Sequence, residues 1–275
     1  MPIKLNPKIK NLIPLPLTFV VFLSLIFLLY LEILGLNLIT NQDISTAIHW
    51  QDVLIGLTIY LKTSVDFAIF IGNLMHKNPG LKGRIGIEIG TALGNALGTM
   101  IILIIWTFFK EVTWLLALMI TLAALVLFKM AEDSLEHADI GAHKIKLVHL
   151  FHRSLVKFNS IVEPFLSKII PSHSIKPRAS KSFIGLLLAS FSVPFILGLD
   201  DFAGYVPLFN VVNVLGFSIG VLLGHMILNI LLFISPARTI KFVKNRFVSL
   251  IGAIAFILLG VWGIYEAVKL ILNLH

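Results

Sequence analysis

Ser64-Val65-Asp66-Phe67-Ala68 sets a carboxylate inside an apolar run, and Leu199-Asp200-Asp201-Phe202-Ala203 does so again far along the chain. A charge at that depth costs roughly 2.5–3.5 kcal/mol on insertion scales, so an intramembrane acid is a functional-site candidate by default. Each stretch is followed by a second apolar segment with the same small-residue pattern. The first is Ile89-Gly90-Thr91-Ala92-Leu93-Gly94-Asn95; the second is Ile219-Gly220-Val221-Leu222-Leu223-Gly224-His225. An acid and its Gly-rich neighbour, each occurring twice, predict an internal duplication with an ion site between the halves.

The rest of the 275-residue chain agrees. It is 57% hydrophobic and 13% charged, with a mean hydropathy of +0.96, far from globular composition. Several apolar runs reach the roughly 20 residues that a spanning helix needs. Barrel strands are about 10 residues long and alternate, which these runs do not. The fold class is therefore an all-α polytopic membrane protein. With no cysteine, disulfides, thiolate ligands and a Cys nucleophile are excluded. A net charge of +8 points to nucleic acid in a soluble protein. Here the basic residues lie between apolar runs, where they orient a membrane protein. The expected partner is the lipid bilayer, with no nucleic acid.

Seven spans are predicted, near 12–36, 51–75, 84–109, 113–131, 182–207, 210–234 and 247–272. The first follows Lys4, Lys8 and Lys10 like a signal peptide. It outruns the usual 7–15-residue apolar core and lacks a small-x-small cleavage site, so it is expected to be retained. Basic residues place the N-terminal tail, Lys77–Arg84, the 132–181 loop and the 235–246 loop on one side. Residues 37–50 and the 208–211 turn carry none. That alternation puts the N-terminus in the cytoplasm and the C-terminus outside, in the inner (plasma) membrane. The predicted organisation is a tail with an extra helix (1–36), a three-helix repeat (51–131), a cytoplasmic loop (132–181) and a second three-helix repeat (182–272). Because three is odd, the two units enter the membrane from opposite sides, as a 3+3 inverted repeat.

Asp66 has Lys62 one helical turn before it, on the same face. As an internal ion pair the two help the helix insert; as a site, Asp66 is a cation ligand and Lys62 its modulator. Asp200 and Asp201 lie among Pro194, Gly198, Gly204 and Pro207, so an interrupted helix is expected there. Aligning Asp-Phe-Ala pairs Asp66 with Asp201; aligning the preceding small residues pairs it with Asp200. Ser64, Asn73, Asn95, His225 and Asn229 can complete a ligand shell or hold helices together. The repeat pairs Asn95 with His225. Glu88 opens span 3, as a site modulator or as an acid complementing the helix dipole. Glu32 has no counterpart in the repeat. His137, His143, His149 and His152, with Asp133, Glu136 and Asp139, form either a cytosolic metal-loading patch or part of a solvated loop. The spacing of Leu147, Leu150, Phe151, Leu155 and Phe158 also fits a helix lying along the membrane surface.

Thr63-Ser64-Val65-Asp66 resembles the Ser/Thr-x-Asp signature of the lysine-exporter superfamily. The run from Asp66 through Asn78-Pro79, Arg84 and Gly90-Thr91 resembles its TerC-type members. Gly198-Leu199-Asp200-Asp201, followed by Tyr205-Val206-Pro207-Leu208-Phe209, resembles the second motif of cadmium-resistance exporters. The resemblance implies cation efflux through a site formed by both acidic motifs. It nominates Asp66, Asp200 and Asp201. The chain departs from the pattern at Phe67, where many relatives carry a second Asp or Asn, and at Lys62; both lower the site's negative charge.

The expected function is secondary-active export of a divalent cation such as Mn²⁺, Ca²⁺ or Cd²⁺. Asp66, Asp200 and Asp201 would be ligands, helped by Ser64, Asn95 or His225. The ion is substrate, no resident cofactor is expected, and a homodimer is one assembly open to the chain. No enzymatic activity is expected, since no nucleotide-binding signature is present. An intramembrane aspartyl protease also uses two Asp residues, but its Tyr-Asp and Gly-x-Gly-Asp pair is absent. The remaining alternative is a non-transporting assembly or stress-response factor that keeps the fold.

Overall fold

The computed structural model describes residues 14–40, 43–139, 146–169, 182–192, 195, 209, 212–243 and 245–272, and for Lys62, Val65 and Asp66 it describes the backbone. Among these residues every regular element is helical. In chain order they are α1 (Pro14–Ile39), α2 (Trp50–Thr63), α3 (Val65–Lys77), α4 (Leu81–Phe109), α5 (Thr113–Asp139) and α6 (Lys146–Ile169). There follow α7 (Phe183–Ser192), α8 (Val214–Ile234), α9 (Pro236–Val243) and α10 (Arg246–Ile271). Five of them, α1, α4, α5, α8 and α10, are long and apolar enough to cross a membrane. The protein is a helical membrane protein.

The helices start where short polar side chains can satisfy otherwise unpaired N–H groups. Asn213 accepts from Gly216 N at 3.0 Å to open α8, and Asn245 accepts from Phe247 N at 2.9 Å to open α10. Ser182 does the same for Gly185 N at 3.0 Å before α7. Large apolar side chains remain exposed on the outer faces, among them Phe19 and Phe27 on α1 and Ile251, Leu258 and Val261 on α10. On a membrane protein those faces meet acyl chains.

Small residues set the interior. Lipid supplies no hydrophobic drive between helices, so close backbone approach and interhelical hydrogen bonds hold the bundle. On α8, a Cβ at Gly220 would collide with the Val53 carbonyl oxygen of α2 and lie 2.8 Å from Leu57 N; one at Gly224 would lie 2.8 Å from Tyr60 Cδ1. On α4, a Cβ at Gly90 would collide with the Leu187 carbonyl oxygen of α7 and with Ser190 Oγ, and would sit 3.1 Å from Phe191 N. The most extensive helix pair is α5 with α10, where Gly260 faces the Phe128 ring. The α8–α2 and α4–α7 contacts use equivalent members of the two glycine patterns.

Beyond the bundle, α6 fits the amphipathic reading of the central loop. Leu150, Phe151, Phe158 and Ile161 stay exposed, while buried Asn159 docks the helix on α5. Its Nδ2 donates to Glu132 Oε2 at 2.6 Å and to Phe128 O at 3.1 Å, and the Phe128 and Phe158 rings meet edge to face. Asn159→Leu leaves the Glu132 carboxylate without this donor, at a cost of about 1–3 kcal/mol. The expected result is faster hydrogen exchange across α6, with α5 and α10 unchanged.

Candidate functional site

Helices α2 and α3 lie end to end and part at Ser64 (φ −83°, ψ 23°), two residues before Asp66. Together they cover the predicted second span, so the first acidic motif opens the second half of an interrupted helix. No Gly or Pro marks this break. The local signal is Thr63, whose hydroxyl competes for a backbone carbonyl of the preceding turn. Thr63 Oγ1 donates to Tyr60 O at 3.2 Å. Ser64 is buried, and its Oγ has no partner among the described residues. The interruption expected around Asp200 and Asp201 lies outside the described residues, as do both acids.

Helix α8 packs against this junction. Tyr60 hydroxyl lies 2.7 Å from His225 Nδ1, and Asn229 Nδ2 lies 2.9 Å from His225 Nε2. An amide nitrogen only donates, so Nε2 accepts; the neutral ring assigned on that basis carries its proton on Nδ1 and donates it to Tyr60. The Phe67 ring lies on the same imidazole, centroids 5.4 Å apart. Asn229 Nδ2 also donates to Thr91 Oγ1 at 3.3 Å, and Thr91 donates to Glu88 O at 2.8 Å. Glu88 Oε1 in turn accepts a hydrogen bond from Thr18 of α1. A buried polar chain thus ties α2, α8, α4 and α1 together.

The structure therefore gathers three of the nominated polar residues, Glu88, His225 and Asn229. Asn95 is buried one turn beyond Thr91, its Nδ2 without a partner among the described residues. Asp66 and Lys62 lie on opposite sides of the Ser64 break. Asn73 is exposed on α3, away from any ligand shell. Both Glu32 oxygens are buried without a partner among the described residues. Tyr60, Thr91 and Thr18 were missed as site residues. The i,i+3 spacing of Glu88 and Thr91 and the i,i+4 spacing of His225 and Asn229 were the available signals.

With both ring nitrogens engaged, His225 is a clasp between α2 and α8. Ser64 Oγ and Asn95 Nδ2 are buried without a partner among the described residues, and the Asp66 side chain lies outside them. Among the described residues no three His, Asp or Glu side chains stand together as a metal site. That includes Asp133, Glu136, His149 and His152 of the proposed cytosolic patch; Asp133 sits 3.9 Å from Lys129 Nζ instead. The side chains of His137, Asp139 and His143 lie outside the described residues.

No family model, curated protein or solved structure matches the chain. The chain's own residues carry the functional reading.

Replacing His225 by Phe removes the ring nitrogens and leaves Asn229 and Tyr60 without them. A buried donor left unmade costs about 1–3 kcal/mol. The expected result is a thermal midpoint in detergent lower by about 2–12 °C, given roughly 2–4 °C per kcal/mol for chains of this size. A smaller drop is expected for Tyr60→Phe, which removes one of the two bonds.

Proposed function

We propose that this protein is a secondary-active exporter of a divalent cation, built as a 3+3 inverted repeat behind an extra first helix. Its seven spans are α1, the interrupted α2–α3, α4, α5, a span begun by α7, α8 and α10. The N-terminus lies in the cytoplasm. The observation that carries the reading is the interrupted helix at the Ser64-Val65-Asp66 motif. Ion sites of inverted-repeat transporters lie at such breaks, where unwound backbone and half-helix ends face the ion.

Reciprocal packing supports the repeat. Val53 and Leu57 meet Gly220 as Leu187 and Phe191 meet Gly90. The step that carries 53 to 187 and 57 to 191 carries Ser64 to Gly198 and Asp66 to Asp200. The register favours Asp200 over Asp201 as the counterpart of Asp66. The proposed ligands are Asp66, Asp200 and Asp201 with Ser64 and Asn95, an oxygen-rich set that suits Mn²⁺ or Ca²⁺, with Cd²⁺ as borderline. The test is flux of these ions in proteoliposomes holding the full chain. Flux no greater than in protein-free vesicles for all three would refute the reading.

Phe67 favours a second reading, a non-transporting membrane factor. It is buried against His225, an apolar ring at a place where many members of the resembled superfamily carry Asp or Asn. Metal sensitivity of a deletion strain, restored by the wild type and not by Asp66→Asn, would exclude that reading.

A further inference from the structure

Glu88 belongs to neither acidic motif in the sequence and is buried on α4. It is 1% exposed. Thr18 donates to Oε1, while Oε2 has no partner among the described residues. Beside it lies a cavity lined by Thr18, Glu88, His225 and Asn229 among apolar side chains such as Phe22 and Leu222. The cavity's volume open to water centres is about 10 Å³, room for about one water molecule. A second acceptor on its lining, Asn229 Oδ1, also has no donor among the described residues.

Two acceptors without donors around one small cavity need a ligand that donates. A hard metal ion needs about six oxygens, more than this lining offers. A proton needs one. Among the described residues no charged group is bonded to the Glu88 carboxylate, whose one bond comes from Thr18. On its own helix, Arg84 lies one turn earlier, and its Nη1 donates to Phe233 O at the end of α8 at 2.8 Å. From α8, His225 faces the same cavity with both nitrogens engaged. From α1, Thr18 does not titrate.

We propose that Glu88 is the coupling-proton site of the transporter, exchanging one proton with water in this cavity. Loading forms an O–H bond at Oε2, which then donates into the cavity; release breaks that bond and returns the proton to water. The metal keeps its own carboxylates, so cation and proton are coupled between two sites by helix movement. Thr18 makes the extra helix α1 part of this chamber, and it is a positioning residue.

This inference rests on the transport reading, and two assays on the full chain in proteoliposomes separate the two. One is Mn²⁺ exchange at equal pH on both sides; the other is Mn²⁺ accumulation driven by a pH gradient, with a pH-sensitive dye recording counter-moving protons. For Glu88→Gln, exchange is expected to stay near the wild-type rate. Gradient-driven accumulation and the proton signal are expected to fall about 100-fold, the scale for losing a positioned proton-transfer group. Thr18→Val should move the pH midpoint of driven transport and leave exchange unchanged. If wild-type protein shows no exchange, the transport reading fails and this inference with it. If the wild type exchanges and Glu88→Gln still accumulates Mn²⁺ with proton counterflow, the proton site alone is wrong. Loss of exchange in a monodisperse Glu88→Gln protein also overturns it, since Glu88 would then belong to the metal path or the scaffold.

Discussion

Asp66→Asn is expected to abolish divalent-cation flux in proteoliposomes while the purified protein stays monodisperse. The substitution keeps the side chain's shape and removes its charge. Desolvating a divalent ion requires anionic oxygens close by, since neutral amides replace hydration poorly for a doubly charged ion. Outer-shell changes around a metal typically cost 10–100-fold, so removing a ligand charge should lower flux by at least about 100-fold. Asp200→Asn should match this loss, because the step in numbering that carries Val53 to Leu187 carries Asp66 to Asp200. Asp201 takes the register of Phe67, and Asp201→Asn should lose less. Equal flux in wild type and Asp66→Asn would remove Asp66 from the site. A larger loss for Asp201→Asn than for Asp200→Asn would show that the register shifts between α7 and the second motif.

Much of the architecture was legible because long apolar runs with basic boundaries have few alternatives in a bilayer. The predicted span 84–109 is α4 (Leu81–Phe109), and 247–272 is α10 (Arg246–Ile271). Other features depended on partners that a linear reading does not reveal. The break at Ser64 involves no Gly or Pro, and the Thr63 hydroxyl bond to the Tyr60 carbonyl is of a kind that also occurs within continuous helices. His225 was noticed for its place in the repeat, but its role follows from Tyr60, 165 positions away in the chain. A tyrosine at that depth looks like core until its hydroxyl partner is known. Glu88 is open in the sequence between a site modulator and a helix-dipole acid for the same reason. Its bond to Thr18 joins α4 to α1 across 70 positions, and no periodicity within either helix predicts that pairing. The repeated small-residue pattern is legible in the sequence. What it packs against, a backbone carbonyl of α2 in one half and of α7 in the other, is not.

Gly220→Leu is expected to prevent assembly of the bundle, with loss of the monodisperse peak in detergent and little folded protein recovered. Ordinary overpacking costs about 1–3 kcal/mol because neighbouring side chains can rotate away. Here the obstructing atoms are the Val53 carbonyl oxygen and Leu57 N of α2, which move only if the helix moves. Separating α2 from α8 also stretches the Tyr60–His225 hydrogen bond of 2.7 Å, so lost packing and an unmade buried bond add at one interface. Gly90→Leu meets the Leu187 carbonyl and Ser190 of α7 and should fail to the same degree. The control is Gly35→Ala on α1, where a Cβ meets nothing within 4 Å and recovery should equal the wild type. If Gly220→Leu is destructive and Gly90→Leu is tolerated, the two glycine patterns do not do equivalent work, and the inverted repeat loses its main physical support. If both are destructive and Gly35→Ala is silent, helix-to-backbone contact at matched positions sets the spacing of the bundle.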